Sequence, residues 1–179
     1  MIRLGLLSAI ALLSAAPTLP APQVAREQTM LVGVWQRGHG DIASGLSDVY
    51  RFWPDGRFSF HFSEMDCAKR EVSYSGHWQL DRQRLSLQVE ERRILMGGRL
   101  EPASSSCSGE TELVRAAPRT RRLRPPEVLT LDIGSVEEVR TDRRGAITAQ
   151  GDLMSRVVIG GDAYWRLSAD PSAQPGARR

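Results

Sequence analysis

The sequence predicts an all-β domain of antiparallel strands, and three observations predict it. Apolar and polar residues alternate with period two in one segment after another beyond residue 30, the pattern of a strand with one face buried. The links between these segments are short and rich in turn formers, which requires antiparallel neighbours. Helical periodicity is absent. The count comes to about eight or nine strands, the number of a barrel or sandwich built as a meander.

Taken in order, the chain of 179 residues opens like a secretory signal. Arg3 supplies the positive start, Leu4 to Leu13 the apolar stretch and Ser14-Ala15-Ala16 a small-residue cleavage region. Residues 1–25 are therefore expected to be signal peptide and flexible start, and the protein periplasmic or secreted. The apolar stretch is shorter than the roughly 20 residues of a membrane-spanning helix, so no membrane span is expected.

The domain is expected over residues 26–168. Tyr50–Trp53 leads through Pro54-Asp55-Gly56 into Arg57–Phe62, where Phe58, Phe60 and Phe62 alternate with polar residues. In Val72–Leu80 the apolar set is Val72, Tyr74, Trp78 and Leu80, and after a turn at Asp81–Gln83 it is Leu85, Leu87 and Val89. Later strand candidates are Val128–Ile133, Ser135–Thr141, Ala146–Gln150, Leu153–Ile159 and Tyr164–Leu167, with turns near Gly134, Arg143-Arg144-Gly145 and Gly160-Gly161-Asp162. Gly97–Glu110 reads as a long surface loop, and residues 169–179 as a disordered tail.

Cys67 and Cys107 are the only cysteines. In an exported chain they favour a disulfide, with two free thiols as the competing reading. No Cys-x-x-Cys pair or Cys/His cluster supports redox catalysis or zinc. The net charge of +3 is no global nucleic-acid signature. Its local exception is Arg115 to Pro126, where Arg115, Arg119, Arg121, Arg122 and Arg124 are interleaved with prolines. The preferred reading is a solvated connector stiffened by proline. The functional alternative is attraction to anionic lipid or polyanion, and no aromatic residue there could stack on a base.

Gly33-Val34-Trp35, at the opening of the first strand, resembles the Gly-x-Trp motif of the lipocalins and the wider calycin superfamily. The resemblance covers about Leu31 to Ser168 and implies an up-and-down barrel of about eight strands. It further implies that Trp35 closes one barrel end and that Arg166, in Tyr164-Trp165-Arg166-Leu167, packs over it. Thr141-Asp142-Arg143 resembles the family's Thr-Asp-Tyr turn, with arginine in place of tyrosine.

Chemistry is sparse. The acid pairs Glu90-Glu91 and Glu137-Glu138 point to opposite strand faces and cannot flank one substrate. His39, His61 and His77 are scattered, and no nucleophile elbow, zinc-protease motif or phosphate loop occurs. No enzyme, cofactor or metal is expected. An outer-membrane barrel would need longer apolar bands with aromatic girdles. A small barrel either is filled by its side chains or holds one small ligand, and Phe58, Phe60, Phe62, Tyr74, Trp78, Leu85 and Leu87 are the candidate inner wall. Two functions follow. One is a carrier of a small apolar ligand; the other is a protein-interaction module or enzyme inhibitor with a solid core, acting through Gly97–Glu110 or the arginine segment.

Overall fold

The computed structural model describes residues 28–38, 46–104, 106–142 and 146–174. The signal-like start, His39, the turn at 143–145 and residues 175–179 lie outside the described residues. Nine strands form one antiparallel sheet: β1 (Gly33–Arg37), β2 (Val49–Phe52), β3 (Arg57–His61), β4 (Glu71–Asp81), β5 (Arg84–Pro102), β6 (Thr111–Asp132), β7 (Glu137–Thr141), β8 (Asp152–Ile159) and β9 (Asp162–Ser168). A helical turn at 28–31 precedes β1.

The turns form where the residues allow them. The Gly56 N–H donates to the Trp53 carbonyl at 3.1 Å, with Gly56 at φ 84° closing the β2–β3 hairpin. Gly160 and Gly161, at φ 59° and 92°, supply the paired left-handed residues of the tight β8–β9 hairpin.

The spatial order is β6-β5-β4-β3-β2-β1-β9-β8-β7. Each strand thus lies beside its neighbour in sequence, except that β1 also pairs with β9 and the order breaks between β6 and β7. The first-with-last pairing is that of an up-and-down barrel, but the sheet is not closed into one, which corrects the expectation of a closed barrel. At the break, one bridge joins Ile133 to Ile159, and the Gly134 N–H reaches the Val158 carbonyl at 2.9 Å. Among the described residues no ladder extends from it. Pro118, Pro125 and Pro126 on β6 have no N–H to donate, and β7 is only five residues long.

The core lies on one face of the curved sheet. It gathers Trp35, Tyr50, Phe52, Phe58, Phe60, Tyr74, Trp78, Leu85, Leu87, Val89, Ile133, Val157, Ile159 and Tyr164, drawn from every strand except β6 and β7 and from the residue that follows β6. Two other expectations change. Ala146–Gln150 forms no strand; Ile147 makes an isolated bridge to Thr141 and a turn follows. The Arg115–Pro126 connector is part of strand β6, and the Gly97–Glu110 loop shrinks to residues 103–110 between β5 and β6.

The ends of the chain's body are tied in place by side chains. Arg51 donates to the carbonyls of Pro171 at 2.7 Å and Ala173 at 2.6 Å, so residues 169–174 lie against β2. Arg37 reaches Asp48 at 3.2 Å and Asp162 at 2.9 Å, linking β1 to the starts of β2 and β9.

Candidate functional site

The register of β2, β3 and β4 places Tyr50 opposite Phe60 and Phe60 opposite Tyr74. Directly opposed residues share a sheet face, so these rings converge: Tyr50–Phe60 centroids lie 4.4 Å apart, Phe60–Tyr74 4.8 Å and Phe52–Trp78 5.3 Å. Such spacings are those of rings in mutual contact. Of the candidate inner wall, Phe58, Phe60, Tyr74, Trp78, Leu85 and Leu87 are all buried in this cluster. Phe62 is half-buried at its edge, with the Lys69 ammonium 3.9 Å from its ring centroid.

Tyr50 and Tyr164 belong to the same array, although the sequence reading does not place them in the inner wall. Their rings lie 5.2 Å apart, and the Tyr50 and Tyr74 hydroxyls are 3.2 Å apart. Burial pushes all three tyrosine hydroxyls above the ordinary value, since an anion there would lose its hydration. A protonated phenol can give a hydrogen bond at neutral pH but cannot take a proton as a base. The sequence does carry a signal for both, because Tyr50 alternates with Phe52 and Tyr164 falls two residues before Arg166.

At the sheet's end Trp35, fully buried, donates from Nε1 to the Leu31 carbonyl at 2.7 Å. Arg166 pairs with it across the β1–β9 ladder, and its guanidinium carbon stands 4.6 Å from the indole centroid. Arg166 also donates to the Met30 carbonyl, which fastens the helical turn over the tryptophan.

Cys67 and Cys107 form a disulfide. Their sulfurs and a Glu112 oxygen make the one metal-like grouping among the described residues, but a disulfide offers no thiolate to a metal. The acid pairs find separate partners: Glu90 meets His77, Glu91 meets Arg122, Glu137 meets Arg156 and Glu138 accepts from Ser155. The register shift at Ser75/Gly76 sets Glu91 opposite Ser75, on the face of His77, so Glu90 and Glu91 do not take the opposite faces that alternation predicts. His61 and His77 stand opposite Ser73 and Arg57 on the β3–β4 ladder and share no partner.

The second distinctive region is the hairpin of β5 and β6. β4 pairs with β5 only as far as Ile94, and beyond it β6 is the sole strand partner of β5 among the described residues. The disulfide joins the tip, residues 103–110, to the β3–β4 loop, and the Leu113 N–H donates to the Cys67 carbonyl at 2.8 Å. The Leu95 N–H turns away from β6 to the Arg70 carbonyl at 2.7 Å. Its partner Pro118 consequently directs its ring nitrogen outward, the edge position a proline tolerates.

Arginines crowd this outer strand. From Leu113 to Pro126 there are five arginines and no acid, so the chain's whole positive excess resides in that stretch. Arg122 binds Glu91 at 2.9 Å. Arg115, Arg119, Arg121 and Arg124, with Arg93 on β5, are exposed and make no ion pair with any of the described residues. Proline and charge on an edge strand also block uncontrolled strand addition.

The chain matches no family model. No curated protein and no solved structure is similar to it either. The resemblance to lipocalins therefore rests on Gly33-Val34-Trp35 and the strand meander.

Proposed function

We propose that this chain is an exported, non-catalytic interaction module, in which the packed sheet is a scaffold and the β5–β6 hairpin is the binding element. One contrast carries the reading. The rings of Tyr50, Phe52, Phe60, Tyr74 and Trp78 pack against one another at 4.4 to 5.3 Å, whereas the two longest strands pair only with each other over their outer halves and hold arginines in solvent that make no ion pair with the described residues. The disulfide that anchors the hairpin tip supports this, because fixing a binding element beforehand lowers the ordering cost of association.

A photo-crosslinking residue placed at Arg119 or Met96 in the full chain, in producing cells, should yield adducts. The same residue at Gln79, exposed on β4, should yield none. Equal labelling at all three positions would overturn the assignment.

A second reading keeps the small apolar ligand. It is favoured by the opening between β6 and β7, where Leu123, Leu129, Leu131 and Val136 pack only part-buried against the core. Phe60→Trp discriminates: a packed interior loses about 1–3 kcal/mol of stability on added volume. A ligand wall accepts the indole, and the wild type then shows saturable binding of an apolar fluorescent probe.

A further inference from the structure

The register of the hairpin assigns its partner's chemistry. Ile94 stands opposite Arg119, Met96 opposite Ala117 and Arg92 opposite Arg121, so Ile94, Met96, Ala117, Arg119 and Arg121 share one face. Arg92 on that face is neutralised by Glu71 and Glu127, but Arg119 and Arg121 make no ion pair with any of the described residues. Met96 is 53% exposed and Leu100, further out on the same strand, 57% exposed. Large apolar side chains standing in water between guanidinium groups are unfavourable for a free surface, and both find partners at once in a bilayer's headgroup region.

We infer that this face of the β5–β6 hairpin docks on an anionic lipid surface, a conclusion that rests on the hairpin being the binding element. The guanidinium groups of Arg119 and Arg121 pair with lipid phosphates, while Met96 and Ile94 enter the boundary between headgroups and acyl chains. The alternatives fit less well. A single-stranded nucleic acid would find no aromatic side chain to stack on. A partner's β-strand would meet Pro118, Pro125 and Pro126, which offer no N–H. A soluble polyanion would satisfy the arginines and leave Met96 in water.

The test is co-sedimentation of the full chain with vesicles of phosphatidylcholine alone and of phosphatidylcholine mixed with phosphatidylglycerol, with soluble heparin in a parallel titration. Binding is expected for the mixed vesicles only, falling as salt rises. Arg119→Gln combined with Arg121→Gln should weaken it about thirtyfold, since each surface-facing arginine contributes about fivefold. Arg82→Gln with Arg84→Gln removes the same charge at the other end of β5 and should leave binding unchanged. Met96→Ser should weaken vesicle binding about fivefold and leave any heparin binding unaffected. Equal binding to both vesicle types, or heparin binding without vesicle binding, overturns the inference. Protein adducts at Arg119 in cells together with no vesicle binding would overturn the lipid partner while leaving the hairpin as the binding element; absence of both would remove the two together.

Discussion

The Arg166 guanidinium stacks on the buried face of Trp35 while the indole N–H and the arginine hold successive carbonyls, Leu31 and Met30, of one helical turn. The pair therefore does two things: it covers the end of the sheet and fixes the chain entering β1. Trp35→Ala should destabilise the fold by about 3–5 kcal/mol, the cost of deleting a buried large aromatic. Arg166→Ala should cost less, about 1–2 kcal/mol for a desolvated cation–π contact and one hydrogen bond. Denaturant unfolding of both single variants and the double variant checks this, with a coupling energy of about 1 kcal/mol expected. Strictly additive effects would show that the two residues act independently.

The pairing of Arg166 with Trp35 is what the resemblance at Gly33-Val34-Trp35 implies, and no feature of the residues alone places that arginine. The burial of Phe58, Phe60, Tyr74, Trp78, Leu85 and Leu87 was legible from the residues themselves, because they alternate with polar ones and period two survives wherever one face is buried. The outer hairpin was not. Arg92 to Leu100 and Thr111 to Arg124 are strand with both faces largely in water, so nothing compels alternation and the prolines read as breaks. Closure of the sheet was illegible for a further reason, since strand order around a meander follows from sequence order but the ladder between its two ends depends on how far the sheet curls, which period two does not encode.

The disulfide closes a loop with a sequence separation of 40 residues and holds the hairpin tip to the β3–β4 loop. Replacing both cysteines by serine should lower stability by on the order of 4 kcal/mol, chiefly through the unfolded chain's regained freedom. The loss should be accompanied by local loosening, because the hydrogen bonds from Ser108 to Met65 and from Leu113 to Cys67 lie beside it. Hydrogen exchange in the wild type and the double variant measures this. Faster exchange is expected at Leu113 and Ser108, with little change at Leu85 and Leu87 until global unfolding. Uniform acceleration across the sheet would show that the bond has no local role.

Gly76 sits at the irregularity where β4 shifts register against β5. A β-carbon there would stand 1.9 Å from the Gln88 carbonyl oxygen, a backbone atom that cannot swing aside. Gly76→Ala should therefore cost about 1–3 kcal/mol as an overpacking substitution. Gly109→Ala, where an added β-carbon meets nothing within 4 Å, should be close to neutral. Thermal unfolding of the two variants decides, and comparable losses would show that the close approach at Gly76 relaxes.

The three buried tyrosines set the alkaline limit of the fold. Tyr50, Tyr74 and Tyr164 are at most 8% exposed, and burial raises each hydroxyl above the ordinary value of 10.0. The sign follows from proton counting. Above pH 10 the unfolded chain releases these protons while the folded chain keeps them, so folding binds protons and stability falls as pH rises. Below pH 10 both states hold the protons and the contribution is complete. Tyr74 and Tyr164, the most strongly raised, should each then remove up to about 1.4 kcal/mol for every pH unit above 10, and Tyr50 acts in the same direction. Denaturant titrations across that range measure the slope, and tyrosinate absorbance should appear together with unfolding. Tyr164→Phe should make the slope shallower by up to about 1.4 kcal/mol per unit. No exposed phenol confuses the absorbance, because these three are all the tyrosines the chain has. Tyrosinate absorbance that rises near pH 10 in a chain still folded would show that water reaches the array and that the hydroxyls of Tyr50 and Tyr74 do not form a closed pair.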